Sequence, residues 1–159
     1  MIRVKIICLG KLKEKYWREA EQEYLKRLQA FAKVEMIELK EESFDGKIPA
    51  EVIKQKEADK INSVLGKIKD AYVIVLDEHG KQFSSVIFSE HLFELANRGN
   101  GEFVFVIGGP LGLGELILKK ANLKLSFSSF TFTHQMIRVF LLEQIYRSAM
   151  IEGGRQYHY

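Results

Sequence analysis

Two short runs, AYVIVL at 71–76 and EFVFVI at 102–107, are apolar almost throughout and do not alternate. They constrain the fold more than any other feature. A strand with one wet face alternates apolar and polar residues, because successive side chains point to opposite faces. A run without alternation needs cover on both faces, as a strand inside a parallel sheet has. The remaining segments fit around such a sheet. Residues 3–9 alternate and then run apolar, as a first strand does, and 34–39 form a second. Between them, Trp17, Ala20, Tyr24, Leu28 and Phe31 recur every three or four residues, which puts them on one helix face within 13–31. Asp45-Gly46 marks a turn in the polar stretch 40–49. From Ala50, the residues Ile53, Ile61, Val64, Leu65 and Ile68 mark a second amphipathic helix. Ser84 or Ser85 caps a third, running to Asn97, with Ile87, Leu92, Leu95 and Ala96 facing the core. Residues 123–127 read as a fifth strand and 134–151 as a final helix.

Strands alternating with helices predict an α/β fold, a parallel-type sheet with helices on both faces, in a single domain over 1–159. Ligands of such sheets bind beyond the carboxyl ends of the strands. Leu76, Ile107 and Phe127 therefore fall on the rim of the expected site. The final helix is apolar around most of its circumference, so it needs two surfaces to bury it. Either a homodimer through this helix or deep burial within one chain satisfies that need.

With 159 residues, 47% hydrophobic and 28% charged, the chain has material for one substantial core. No apolar stretch is long enough to span a bilayer. The start, MIRVKIICLGKLK, lacks a long apolar region and a cleavage signal, and reads as a strand, not a signal peptide. The single cysteine, Cys8, cannot build a disulfide framework, which fits a reducing cytoplasm. A net charge of +3 permits a polyanionic partner without demanding one. No spacing of His, Cys and carboxylates suggests a metal site. His79 reads as a turn residue, His91 as a helix-surface residue and Cys8 as inert core.

Four segments could carry chemistry. Gly108-Gly109-Pro110-Leu111-Gly112-Leu113-Gly114 follows the buried strand directly. It lacks the Lys-Ser/Thr of a P-loop and the spacing of a dinucleotide fingerprint, which leaves a tight turn or a backbone-lined pocket. In 126–133, hydroxyls alternate with aromatics (Ser126, Phe127, Ser128, Ser129, Phe130, Thr131, Phe132, Thr133), so rings can pack on a flat ligand while loop backbone reads its edge. A strand end plus a Thr133 helix cap explains the same residues. His134, Arg138 and Arg147 are polar points on the apolar last helix, and Arg147 is placed to pair with Glu143. The tail, GGRQYHY, carries Tyr157, His158 and Tyr159, suited to base stacking and phosphate contact or simply frayed. Lys11, Lys13, Lys15 and Arg18 gather after the first strand, a solvated face on the side where RNA would approach.

Taken together in this order, LGKLKEKYW, FVFVIGGPLGLGE, LSFSSFTFTHQMIRVFLLEQIYRS and the closing YH resemble the ribosomal RNA large-subunit methyltransferase H family, within the SPOUT class. The resemblance covers essentially the whole chain. It implies a C-terminal trefoil knot, which general rules of topology disfavour, and a homodimer. It implies S-adenosylmethionine bound at Leu76, Gly108 and the run Phe127, Ser128, Ser129, Phe130, Thr131 and Phe132. The implied reaction methylates N3 of a pseudouridine in the intersubunit-bridge stem-loop of 23S ribosomal RNA, on assembled ribosomes in the cytoplasm. His158 is the expected base, supported by Tyr157. Arg138 and Arg147 are expected to hold phosphates or stabilise charge on the uracil carbonyls. Thr133 stands where relatives often carry proline, and Tyr159 where they often end in a basic residue. Competing readings are a non-catalytic ribosome- or RNA-binding factor and a SPOUT methyltransferase acting on transfer RNA.

Overall fold

A computed structural model describes residues 1–155 and Tyr157. Five strands and five helices alternate: β1 (Ile2–Leu9), α1 (Lys15–Leu28), β2 (Ala32–Leu39), α2 (Ala50–Leu65), β3 (Tyr72–Gln82), α3 (Ser85–Asn97), β4 (Glu102–Ile107), α4 (Glu115–Lys120), β5 (Leu123–Ser126) and α5 (His134–Glu152). The strands form one sheet in the order β2-β1-β4-β3-β5, and every pairing is parallel. The fold class read from the sequence is the one found.

The unalternating runs serve two cores at once. On β4, Phe103, Phe105 and Ile107 pack on one face with Ile6 and Cys8 of β1, against Leu28, Leu92, Leu141, Leu142 and Ile145 of the helices α1, α3 and α5. On the other face, Val104 and Val106 of β4 join Ile7 and Leu9 of β1 and meet Ala58, Ile61 and Ile117 from α2 and α4. Fully burying one such aliphatic side chain stabilises the fold by about 1.5–3 kcal/mol. Cys8 lies within the first core, and burial pushes its thiol pKa up to about 12, so it stays a neutral thiol.

Helix α5 resolves its own ambiguity within one chain. Arg138, Val139, Leu141, Leu142, Ile145, Ser148, Ala149 and Met150 are all buried. It packs between α1, α3 and the sheet. Its start is set by Thr133, whose hydroxyl accepts from the Met136 N–H. Ser84 caps α3 the same way, through the Ile87 N–H.

Three local expectations fail. Ile87 is 54% exposed, and Phe88 takes its place in the core, because a cap at Ser84 turns the following residues so that Phe88 and Leu92, four apart, face inward. His91 does not lie free on the helix surface; it stacks on the Phe83 ring at 5.5 Å and its Nε2 is buried. His79 is not in a simple turn, since β3 runs on to Gln82. The ladder with β5 breaks between Leu76 and Lys81, both of which pair with Leu125. Residues 77–80 thus form a bulge. Gly80 permits it, because a Cβ there would stand 2.6 Å from the backbone carbonyl of Lys124.

Candidate functional site

The carboxyl ends of β3, β4 and β5 open into a cleft of about 940 Å³. Three backbone segments wall it: Leu76 and the bulge Asp77, Glu78 and His79; the glycine turn 108–113; and the loop after β5. The turn is tight. Gly112 has φ +79, a conformation costly for any residue with a Cβ, and its N–H donates to the Gly109 carbonyl at 3.0 Å. Gly108 sits under it, where a Cβ would come within 3.0–3.1 Å of the Leu113 side chain and the Gly112 carbonyl carbon. The turn therefore brings bare backbone to the cleft. The β5–α5 loop is shaped by its own hydroxyls: Ser126 Oγ donates to the Ser128 carbonyl at 2.9 Å, and Ser128 Oγ accepts from the Phe130 N–H at 3.0 Å.

Of the residues expected at a cofactor site, Leu76, Gly108, Phe127, Ser128, Phe130, Thr131 and Phe132 line this one cleft. Ser129 does not; its hydroxyl accepts from Gln82 Nε2 at 3.3 Å, tying the loop to the end of β3. Phe130 is 77% exposed, and Phe132 packs edge-on against Phe140 of α5, which is itself exposed. Asp77, Glu78 and His79 also face the cleft and were not singled out in the sequence, where they read only as a polar turn.

Of the residues expected to be catalytic, Arg138, Arg147 and Tyr157 lie away from this cleft. Arg138 is a buried strut. Its guanidinium donates to both carboxylate oxygens of Glu21 and, at 2.7 Å, to Glu38. Burial alone would lower its pKa, but the hydrogen bonds to Glu21 and Glu38 outweigh that and raise it. A guanidinium so engaged has no free face for a phosphate. Arg147 pairs with Glu143 at 2.5 Å, donates to the Tyr157 carbonyl at 3.1 Å and stacks 4.9 Å from the Tyr157 ring. Tyr157 also meets Tyr146 edge-on at 4.9 Å. His158, the expected base, lies outside the described residues. None of Arg138, Arg147 or Tyr157 lines the cleft. Arg138, one turn into α5, is turned away to Glu21 and Glu38; Arg147 is kept off by length, since α5 spans 19 residues, roughly 28 Å at 1.5 Å per residue. It begins at the cleft with His134 and carries Arg147, with Tyr157 packed on it, toward its far end.

Among the described residues, no group of His, Cys, Asp and Glu could hold a metal ion, and no helix is long and apolar enough to cross a membrane.

Comparison with known proteins gives a consistent picture. Residues 2–158 match the family model described as predicted SPOUT methyltransferase. The chain is 47% identical to the ribosomal RNA large subunit methyltransferase H of Clostridium acetobutylicum over 161 aligned positions, covering 99% of each chain. The proteins of the same name from Ligilactobacillus salivarius and Streptococcus suis are 47% and 46% identical, again over 99% of each chain. Among solved structures, a probable methylase family protein from Haemophilus influenzae superposes with a TM-score of 0.54 at 11% identity, covering 99% of this chain and 70% of that one. That last likeness speaks to the fold alone.

Proposed function

Because the chain belongs to the SPOUT methyltransferase family, we propose that it methylates N3 of a pseudouridine in the intersubunit-bridge stem-loop of 23S ribosomal RNA. In this reading it acts on the assembled ribosome in the cytoplasm, with S-adenosylmethionine as donor. The observation that carries the proposal is the meeting of Leu76, the Gly108 turn and the 127–132 loop around one cleft at the carboxyl edge of the sheet. The residues present fit a flat adenosyl group: aromatic and apolar side chains on two walls, and a glycine backbone that a Cβ would close off.

When bound, S-adenosylmethionine supplies a methyl group on a sulfonium, an electrophile awaiting an in-line nitrogen. The chain's own task is then mainly positioning. Leu76 and the 127–132 backbone hold the flat end of the donor. N3 of pseudouridine carries a proton that must leave, and His158, next to Tyr157, is the proposed acceptor. Arg147 is the proposed phosphate contact, since its side chain is 25% exposed whereas that of Arg138 is 4%.

The separation of Arg147 and Tyr157 from the cleft along α5 supports a homodimer in which the tail of one copy completes the cleft of the other. The exposed rings of Phe130, Phe132 and Phe140 beside the cleft give such a partner an apolar surface. The sheet order, with β3 between β4 and β5, is compatible with the proposed C-terminal knot.

The test is labelled-methyl transfer to free large-subunit RNA, large subunits and whole ribosomes, alongside calorimetric titration with S-adenosylmethionine. We expect cofactor uptake, and transfer to whole ribosomes only. His158→Ala should lower the transfer rate by about 100-fold or more with cofactor affinity retained. A protein that binds ribosomes but takes up no S-adenosylmethionine would sink the proposal.

A further inference from the structure

A second cleft, of about 970 Å³, adjoins the first and shares Pro110, Leu111 and His134 with it. Its other walls are the loop after β1, the end of β2 with the loop that follows, and the side of α2 that carries Ile53 and Glu57. Two buried polar atoms of its lining residues have no hydrogen-bond partner among the described residues: Glu57 Oε2 and His134 Nε2. Glu57 is only 3% exposed. Its Oε1 accepts from the Glu42 N–H at 2.9 Å, while Oε2 lies against the glycine turn, 3.4 Å from where a Cβ on Gly109 would stand. Stranding such an oxygen costs about 1–3 kcal/mol. Native proteins leave few buried polar groups in that condition, and function is one reason they do.

The rest of the cleft describes what would satisfy it. Lys11, Lys13 and Lys40 stand exposed at its edge among Glu38, Glu41 and Glu42. Lys13 lies 3.8 Å from Glu41, whereas Lys11 and Lys40 form no salt bridge among the described residues and can meet phosphates. Phe44, 57% exposed, offers a ring for stacking. Leu39, Ile53 and Leu111 make the wall apolar. Cations, an exposed aromatic face and one unpartnered carboxylate oxygen in the wall suit a base displaced from an RNA loop. A guanine would offer two neighbouring donors and need both carboxylate oxygens, but Oε1 is already engaged. One unpartnered oxygen fits one ring N–H.

We infer that this second cleft receives the target base, and that Glu57 Oε2 accepts the ring N1–H of pseudouridine, the hydrogen-bond donor that uridine lacks. His134, in its neutral Nε2–H form, faces a carbonyl oxygen of the same base. The inference rests on the methyltransferase reading above and adds to it a residue that sets substrate choice. The shared wall at Pro110, Leu111 and His134 lets the base and the methyl donor meet edge to edge, with N3 on the donor's side and N1 held away from it.

Methyl transfer is measured on ribosomes carrying pseudouridine at the target and on ribosomes from cells lacking the relevant pseudouridine synthase, which carry uridine there. The wild type should prefer pseudouridine by at least about tenfold in kcat/KM. Glu57→Gln keeps the bond from the Glu42 N–H and turns an amide N–H toward N1–H, two donors facing each other. It should bring the pseudouridine-to-uridine ratio of kcat/KM down toward one, with the S-adenosylmethionine Kd within twofold of wild type. Phe44→Ala, at an exposed position, should raise KM for both ribosomes without changing their ratio. An unchanged preference in Glu57→Gln, a loss of cofactor binding in that variant, or an unaltered KM in Phe44→Ala overturns the inference. A wild-type protein that methylates neither ribosome fails earlier, at the methyltransferase reading itself.

Discussion

Two charged side chains are buried in this molecule, and they are treated in opposite ways. Arg138, on α5, is met by Glu21 from α1 and Glu38 from β2 and ties three elements together. Glu57, on α2, has one oxygen satisfied by a backbone N–H and the other left over. Buried charges survive only when paired or when something keeps them unpaired. The contrast separates scaffold from site. A fully engaged group fixes the packing of α5 on the sheet, whereas a half-engaged one keeps an interaction in reserve for a ligand.

The contrast can be broken most forcefully at Arg138. Replacing it with methionine leaves Glu21, 12% exposed, without its counter-charge, and should lower stability by about 3 kcal/mol in denaturant unfolding. The double variant Glu21→Leu with Arg138→Met removes both buried partners and should recover most of that loss. If the single variant were as stable as wild type, Arg138 would not be the strut described.

Glu57 should behave in the reverse sense. Burial pushes its carboxyl above the ordinary value, against the hydrogen bond from the Glu42 N–H. An acid with a raised folded pKa costs the fold stability wherever it is ionised, and that cost vanishes below the unfolded value, near pH 4. Glu57→Gln should therefore be more stable than wild type by about 1 kcal/mol at neutral pH, with the difference closing as pH falls through the carboxylate range. Thermal melts between pH 4 and pH 8 measure it. A variant less stable than wild type at neutral pH would place Glu57 with the scaffold.

The mildest change sharpens the comparison from outside. Lys15 and Glu19 form an exposed pair at 3.4 Å, with side chains 81% and 62% accessible. Lys15→Ala should change stability by no more than about 0.5 kcal/mol, because water screens both ends. A larger change would mean that exposure does not explain the difference between these pairs.

The sheet was legible because the apolar runs of β3 and β4 feed two cores, and a strand with two dry faces has no room for polar residues. The cofactor cleft was legible for a related reason, since the carboxyl ends of those strands are marked by a glycine turn and a loop of alternating hydroxyls and rings. What stayed hidden depends on contacts across long sequence distances. Arg138 and Glu38 are 100 residues apart, so nothing near either one announces the bond. Glu57 reads as one more charge on an amphipathic helix until the Gly109 turn is folded against it. His79 was misread because a bulge looks like a turn when the pairing beyond it is not known.

That bulge in β3 has a consequence for how this protein can change. Leu76 and Lys81 are both anchored to Leu125, so the sheet registers the two ends and is indifferent to how many residues hang between them. The overhang carrying Asp77, Glu78 and His79 can be lengthened, shortened or rewritten in evolution or by design without moving a strand. A lineage can retune what the rim touches while the architecture beneath it is inherited intact.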